Sequence, residues 1–174
     1  MLFRLLFIIS LMLSSFFNFV LATDLDISNG RLGSIKVGES ISSIYKVFNK
    51  DMTRKTDLLL EGDPSPAIEV FLSKKEKNER SPALVFEEHP EGKIWRINVL
   101  TNKFKTKDGL GVGSRLGDLK KFYKGKIVTG EGNIVFVSSS TAQSFLLDYD
   151  ELKYLKSKKV PNSVKVKSIL ILGK

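Results

Sequence analysis

The sequence predicts an α+β fold built from two tandem helix–strand–strand–strand repeats, with antiparallel sheet and short helices packed on one face. Three observations carry this expectation. First, residues 35–48 lie over residues 110–123 at a constant offset of 75 with no gap. The pairs are Val37/Val112, Gly38/Gly113, Ile41/Leu116, Ile44/Leu119, Val47/Phe122 and Phe48/Tyr123, and self-similarity at a fixed offset marks repeated supersecondary units. Second, each of these segments is followed by three short apolar runs of strand character. Third, turn residues separate the runs: Gly62-Asp-Pro-Ser-Pro66, His89-Pro-Glu-Gly92, Gly130-Glu-Gly132 and Pro161-Asn162. Helices set apart from antiparallel strands define the α+β class.

Residues 1–22 come first. Arg4 is the only charge before Asp24, an apolar stretch runs from Leu5 to Leu21, and Val20-Leu21-Ala22 ends it with small residues. A positive start, an apolar middle and a small-residue end read as a secretory signal cleaved before Thr23. The competing reading is an uncleaved anchor, since about 20 apolar residues span a bilayer. The first repeat is expected over 23–104 and the second over 105–174. Ser40 and Ser114 are placed to cap helices whose apolar faces are Ile41, Ile44, Tyr45 and Phe48, and Leu116, Leu119, Phe122 and Tyr123. Strands are expected at 67–72, 83–86 and 94–100, then at 133–137, 144–147 and 164–171. Strict alternation in the third of these places Trp95 on the inward face with Ile97 and Val99.

Tandem helix-plus-antiparallel-sheet modules that open on a Val-Gly helix start, here Val37-Gly38-Glu39-Ser40-Ile41 and Val112-Gly113-Ser114-Arg115-Leu116, resemble the β-lactamase-inhibitor-protein group. They also resemble the small lipoprotein of the outer-membrane assembly machinery. The resemblance implies a non-enzymatic binding module of the cell envelope. The chain departs from both groups in having no cysteine, which also excludes disulfides, thiolate metal sites and cysteine nucleophiles.

Charge is uneven. The chain carries 28 Lys+Arg and 19 Asp+Glu. Residues 23–92 hold 10 basic and 13 acidic groups, whereas residues 93–174 hold 17 basic and 6 acidic. The second half therefore suits an anionic partner, or keeps a solvated basic surface. Two lysine sets are the candidate binding residues. Lys103, Lys105 and Lys107 alternate with Phe104 and Thr106, so an extended segment turns all three to one side. Lys120, Lys121 and Lys124 lie on the second helix away from Leu116 and Leu119. Lys153, Lys156, Lys158 and Lys159 form a further run.

Catalytic chemistry finds little support. The single histidine, His89, sits beside a loop tip, and no Gly-x-Ser-x-Gly surrounds Ser138-Ser-Ser-Thr141. Asp148, Asp150 and Glu151 are too close in sequence to oppose one another as a glycosidase pair. Asp24 to Gly30 misses the calcium-loop spacing, and Gly109-Leu-Gly-Val-Gly113 misses the dinucleotide and P-loop spacings. No catalytic residue, cofactor or metal ligand is therefore assigned. The expected function is an exported, periplasmic or secreted, non-catalytic binding module for a protein or envelope component. The alternatives are a cationic module on an anionic envelope polymer or lipid surface, and an unrecognised hydrolase. Nucleic acid is not an expected partner, because aromatics are not interleaved with the lysine runs.

Overall fold

In the computed structural model, residues 25–60, 62–130 and 132–173 are described; the expected leader over 1–22 lies outside them. The described part opens on a three-stranded sheet of two-residue strands, β1 (Ile27–Ser28), β2 (Arg31–Leu32) and β3 (Ile35–Lys36). A 3-10 helix (Ile41–Lys46) and a shorter one (Lys50–Met52) follow. Next come β4 (Thr53–Leu60), β5 (Asp63–Val70), α1 (Lys74–Asn78), β6 (Leu84–His89) and β7 (Lys93–Val99). The second half supplies α2 (Leu116–Phe122), β8 (Gly125–Gly130), β9 (Asn133–Ser138), β10 (Gln143–Leu147), α3 (Glu151–Ser157) and β11 (Val166–Leu172).

The fold is mostly antiparallel sheet with a few short helices, but it does not divide into two clear tandem repeats. Strands β4 to β11 form one eight-stranded sheet in the order β4-β5-β6-β7-β11-β10-β9-β8. Each half contributes a four-stranded meander, and the meanders join where Ile97 pairs with Ile171 and Val99 with Ile169. The expected three strands per half omitted β4 and β8. Both are sheet edges, and their polar residues, Arg54, Lys55, Asp57 and Lys126, hide the apolar pattern while protecting an edge from pairing with other chains. Pro64 and Pro66, expected in a turn, lie inside β5. They are tolerated because that part of β5 pairs only with β4, while β6 pairs from Ala67 onward.

What does recur is local. Gly38 and Gly113 both have positive φ, +91° and +86°, where L side chains are strained. Gly38 N–H donates to the Ile94 carbonyl and Gly113 N–H to that of Val166, each at 2.8 Å. Ile94 N–H returns to the Glu39 carbonyl and Val166 N–H to that of Ser114, again at 2.8 Å. The aligned Val-Gly segments thus dock on the first residues of β7 and β11 by the same bonds. The helices that follow differ. The first is 3-10, in keeping with the poor helix propensity of Ile41-Ser-Ser-Ile44. The second is α-helical, but Arg115 rather than Ser114 occupies its N-cap position, without a side-chain bond. Ser114 Oγ instead accepts the Gly111 N–H at 3.0 Å.

One core cluster joins both halves. Ile68, Phe86, Ile97 and Ile171 form one cross-strand row, and Val70, Leu84, Val99, Ile169, Phe145 and Phe136 the next. Ile44, Leu116 and Leu119 from the helices and Ile27, Leu32 and Ile35 from the small sheet belong to the same cluster. Trp95 does not point inward as expected. Pairing jumps from Glu87↔Arg96 to Glu88↔Ile94, so Trp95 is the extra residue of a β-bulge, and a bulge reverses the alternation beyond it. Ile94 is therefore buried, while Trp95 is 48% exposed. The corresponding jump in β11 skips Lys167.

Candidate functional site

The lysines singled out in the sequence do not converge on one patch. Residues 103–107 keep the expected alternation, with Phe104 and Thr106 buried and the lysines turned outward, but only isolated bridges hold the segment. Lys103 Nζ reaches Glu76 at 3.4 Å. Lys105 Nζ donates to the Val112 carbonyl at 3.3 Å. Lys107 is exposed and lines a cleft beside the small sheet. On α2, Lys121 pairs with Asp118 at 2.8 Å, and that hydrogen bond holds the Asp118 carboxyl below the usual carboxylate range. Lys124 is exposed, and its carbonyl accepts the Ser139 N–H.

Lys120 has a different setting. Its ammonium donates to Asn162 Oδ1 at 3.1 Å, on a loop pressed against α2: Gly117 N–H donates to the Asn162 carbonyl at 2.9 Å. A Cβ at position 117 would stand 3.1 Å from Asn162 Cβ, so glycine permits this close approach. The same loop carries Lys158 and Lys159, just beyond α3. Lys158 caps α3 in the left-handed region, with φ of +55°. The three lysines line a cleft of about 640 Å³ whose floor is Ile127, Tyr149 and Tyr154. No acidic residue lines it, and none of the three ammonium groups has a carboxylate partner among the described residues. The outer side of α3 exposes Leu152 (66%) and Leu155 (45%) among Lys153 and Lys156. The acids at the start of this helix have an ordinary role, since Asp150 accepts the Lys153 N–H as its N-cap.

The second face of the large sheet is a separate surface. Val85, Leu170 and Val137 share one cross-strand row there with Asn98 and Ser144, and none of them belongs to the core cluster. Two cross-strand ion pairs flank the first half of this face, Arg54 with Glu69 and Arg96 with Glu87, each at 2.6 Å. The Arg96 guanidinium lies 4.6 Å from the Trp95 ring centroid. Trp95 borders a cleft with His89, Glu91 and Lys93. Lys93 bonds Glu91 at 2.7 Å and lowers its carboxyl pKa, with the Lys93 charge and then His89 acting the same way. Sequence reasoning missed Trp95 because a bulge leaves no mark on the hydrophobic pattern.

No protein-family model and no curated protein matches the chain. Among solved structures it is similar to the uncharacterized protein YfeY of Escherichia coli, with a TM-score of 0.55 and 15% sequence identity over 85% of this chain and 97% of that chain. At that identity the likeness concerns the fold alone. The resemblance to the β-lactamase-inhibitor and assembly-lipoprotein group gains no support from it.

Proposed function

We propose that the chain is an exported, non-catalytic binding module that holds a phosphate-bearing envelope polymer or lipid head group on the lysine surface of α2 and α3. Export rests on the leader pattern of residues 1–22. The binding reading rests on one observation: Lys120, Lys158 and Lys159 surround one cleft with no carboxylate to neutralise them. Converging unpaired cations raise the local potential and attract anions. Leu152 and Leu155 add apolar contact that a head group alone does not need but a lipid surface rewards. Co-sedimentation with phosphatidylglycerol vesicles, and separately binding of a polyphosphate chain, tests the reading and tells the two sources apart. Binding should weaken as salt rises, and the triple change Lys120→Glu, Lys158→Glu, Lys159→Glu should abolish it without altering thermal unfolding. Undiminished binding by that variant refutes the proposal.

Trp95 favours a second reading, a protein partner on the second face of the sheet, because exposed tryptophan is enriched at interface hot spots. A Trp95→Ala variant that captures the same envelope proteins as the unaltered chain counts against it.

A further inference from the structure

A third cleft, of about 580 Å³, lies where the small sheet and the 106–108 turn meet the start of β10, within the about 300–1,000 Å³ range of small-molecule sites. Its inner wall breaks the core pattern. The row Ile68, Phe86, Ile97, Ile171 continues across β10 to Gln143, a polar residue where four apolar ones precede it. Gln143 is 3% exposed, and its Oε1 has no hydrogen-bond partner. Thr141 Oγ1, on the same wall, is likewise buried and unpartnered. Leaving a buried acceptor unpaired is costly, so two such atoms on residues that line one cleft point to a ligand that completes them.

The rim supplies both signs. Asp26 and Arg31 come from the small sheet, and Lys107 and Asp108 from the turn. Two carboxylates and two cations leave the rim neutral, and no ion pair joins them among the described residues. Tyr123, stacked on Phe145 at 5.7 Å, donates its hydroxyl to Asp108 Oδ2 at 3.2 Å and lines the same space. The buried end is uncharged, with an amide and a hydroxyl. A charged group inserted there would lose its hydration without a countercharge. A ligand hydroxyl can donate to Gln143 Oε1, exchange bonds with Thr141, and meet both donors and acceptors at the rim. We infer that this cleft is a binding site for a neutral polyhydroxylated ligand, a mono- or disaccharide unit. The inference is independent of the lysine surface proposed above.

Titration calorimetry of the purified protein with glucose, N-acetylglucosamine and maltose tests it, with glycine and inorganic phosphate as the charged comparison ligands. At least one sugar should bind saturably at millimolar concentration to the unaltered chain and to its Lys120→Glu, Lys158→Glu, Lys159→Glu variant, and neither charged ligand should bind that variant, in which the lysine cleft no longer attracts anions. Gln143→Leu fits the apolar row, so its thermal unfolding should be unchanged or raised while sugar affinity falls about tenfold or more. Thr141→Val, at a half-buried position, should lower affinity in the same direction and serves if the first variant does not fold. The Lys120, Lys158, Lys159 reversal should leave sugar binding untouched. Absence of saturable sugar binding, binding of glycine or phosphate by the triple lysine variant in preference to sugar, or full affinity in whichever of the two cleft variants folds overturns the inference.

Discussion

Ile97→Ala tests the central structural conclusion, that the two meanders share one core. Ile97 is fully buried and pairs with Phe86 on one side and Ile171 on the other, at the seam between β7 and β11. The substitution removes an ethyl and a methyl group. At about 0.8 kcal/mol per buried methylene, the lost transfer energy is about 2.4 kcal/mol. Strands on both sides hold the walls apart, so a residual cavity of about 50 Å³ at about 24 cal/mol per Å³ adds about 1 kcal/mol. The expected loss is therefore about 3–4 kcal/mol, a large share of the roughly 5–15 kcal/mol that stabilises a domain. In urea, with a slope of about 2 kcal/mol per M, the midpoint should fall by about 1.5–2 M. Fluorescence of Trp95, the chain's only tryptophan, reports the first meander, and far-ultraviolet circular dichroism reports the whole sheet. Both should show one coincident transition, shifted together. A loss under about 1 kcal/mol, or a second-half signal that persists after the tryptophan transition, would refute the shared core.

The bulge predicts opposite consequences for adjacent residues. Ile94→Ala should cost about 2–4 kcal/mol as a core truncation, whereas Trp95→Ala should cost clearly less, since half of its surface already meets water and no cavity follows; chemical denaturation ranks the two, and the reverse order would restore the unbulged phase. Burial raises the Tyr123 phenol above its ordinary pKa of 10.0. The folded state therefore holds that proton more tightly, and this contribution to stability is complete below pH 10 and lost as pH rises through the folded value. Denaturant midpoints measured across that alkaline range should decline less steeply for Tyr123→Phe than for the unaltered protein, and equal slopes would show that Tyr123 is not the group responsible.

Legibility in the sequence followed the physics of each segment. The six apolar runs read as strands are strands, give or take a few residues at their ends, because their burial on the core face leaves an apolar alternation. The edge strands were illegible for the opposite reason: β4 has Arg54, Lys55 and Asp57 along it, and β8 carries Lys126 and is bounded by glycines. The Val-Gly segments were legible as a pair because a positive-φ glycine before a docking helix constrains sequence tightly. The union of both halves into one sheet was not, since pairing between β7 and β11 depends on residues 70 or more positions apart. For the candidate sites, the lysine excess was visible as composition. Which lysines lack partners was not: Lys121 is answered within its own helix by Asp118, whereas Lys120, Lys158 and Lys159 meet only through the Asn162 loop.

The positions where the local pattern fails share a property. Trp95 stands where alternation calls for an inward residue, Gln143 where a core row calls for an aliphatic one, and Lys158 in a backbone region that favours glycine. Each exception carries a free-energy penalty: a bulge in a ladder, an orphaned amide oxygen, and a strained φ. A sequence that specifies its fold otherwise consistently, with four apolar partners in the Gln143 row and matching docking bonds at Gly38 and Gly113, had apolar or glycine alternatives at these positions. Such departures are expected at functional or strained sites. Here each of the three residues borders a cleft or an exposed face rather than lying sealed in the core, Trp95 beside Arg96, Gln143 on a cleft that Thr141 also lines, and Lys158 on a cleft that Lys120 also lines. That placement separates them from packing defects, and it orders the experiments: the Gln143 cleft first, because its orphaned oxygen sits at the most buried of the three positions.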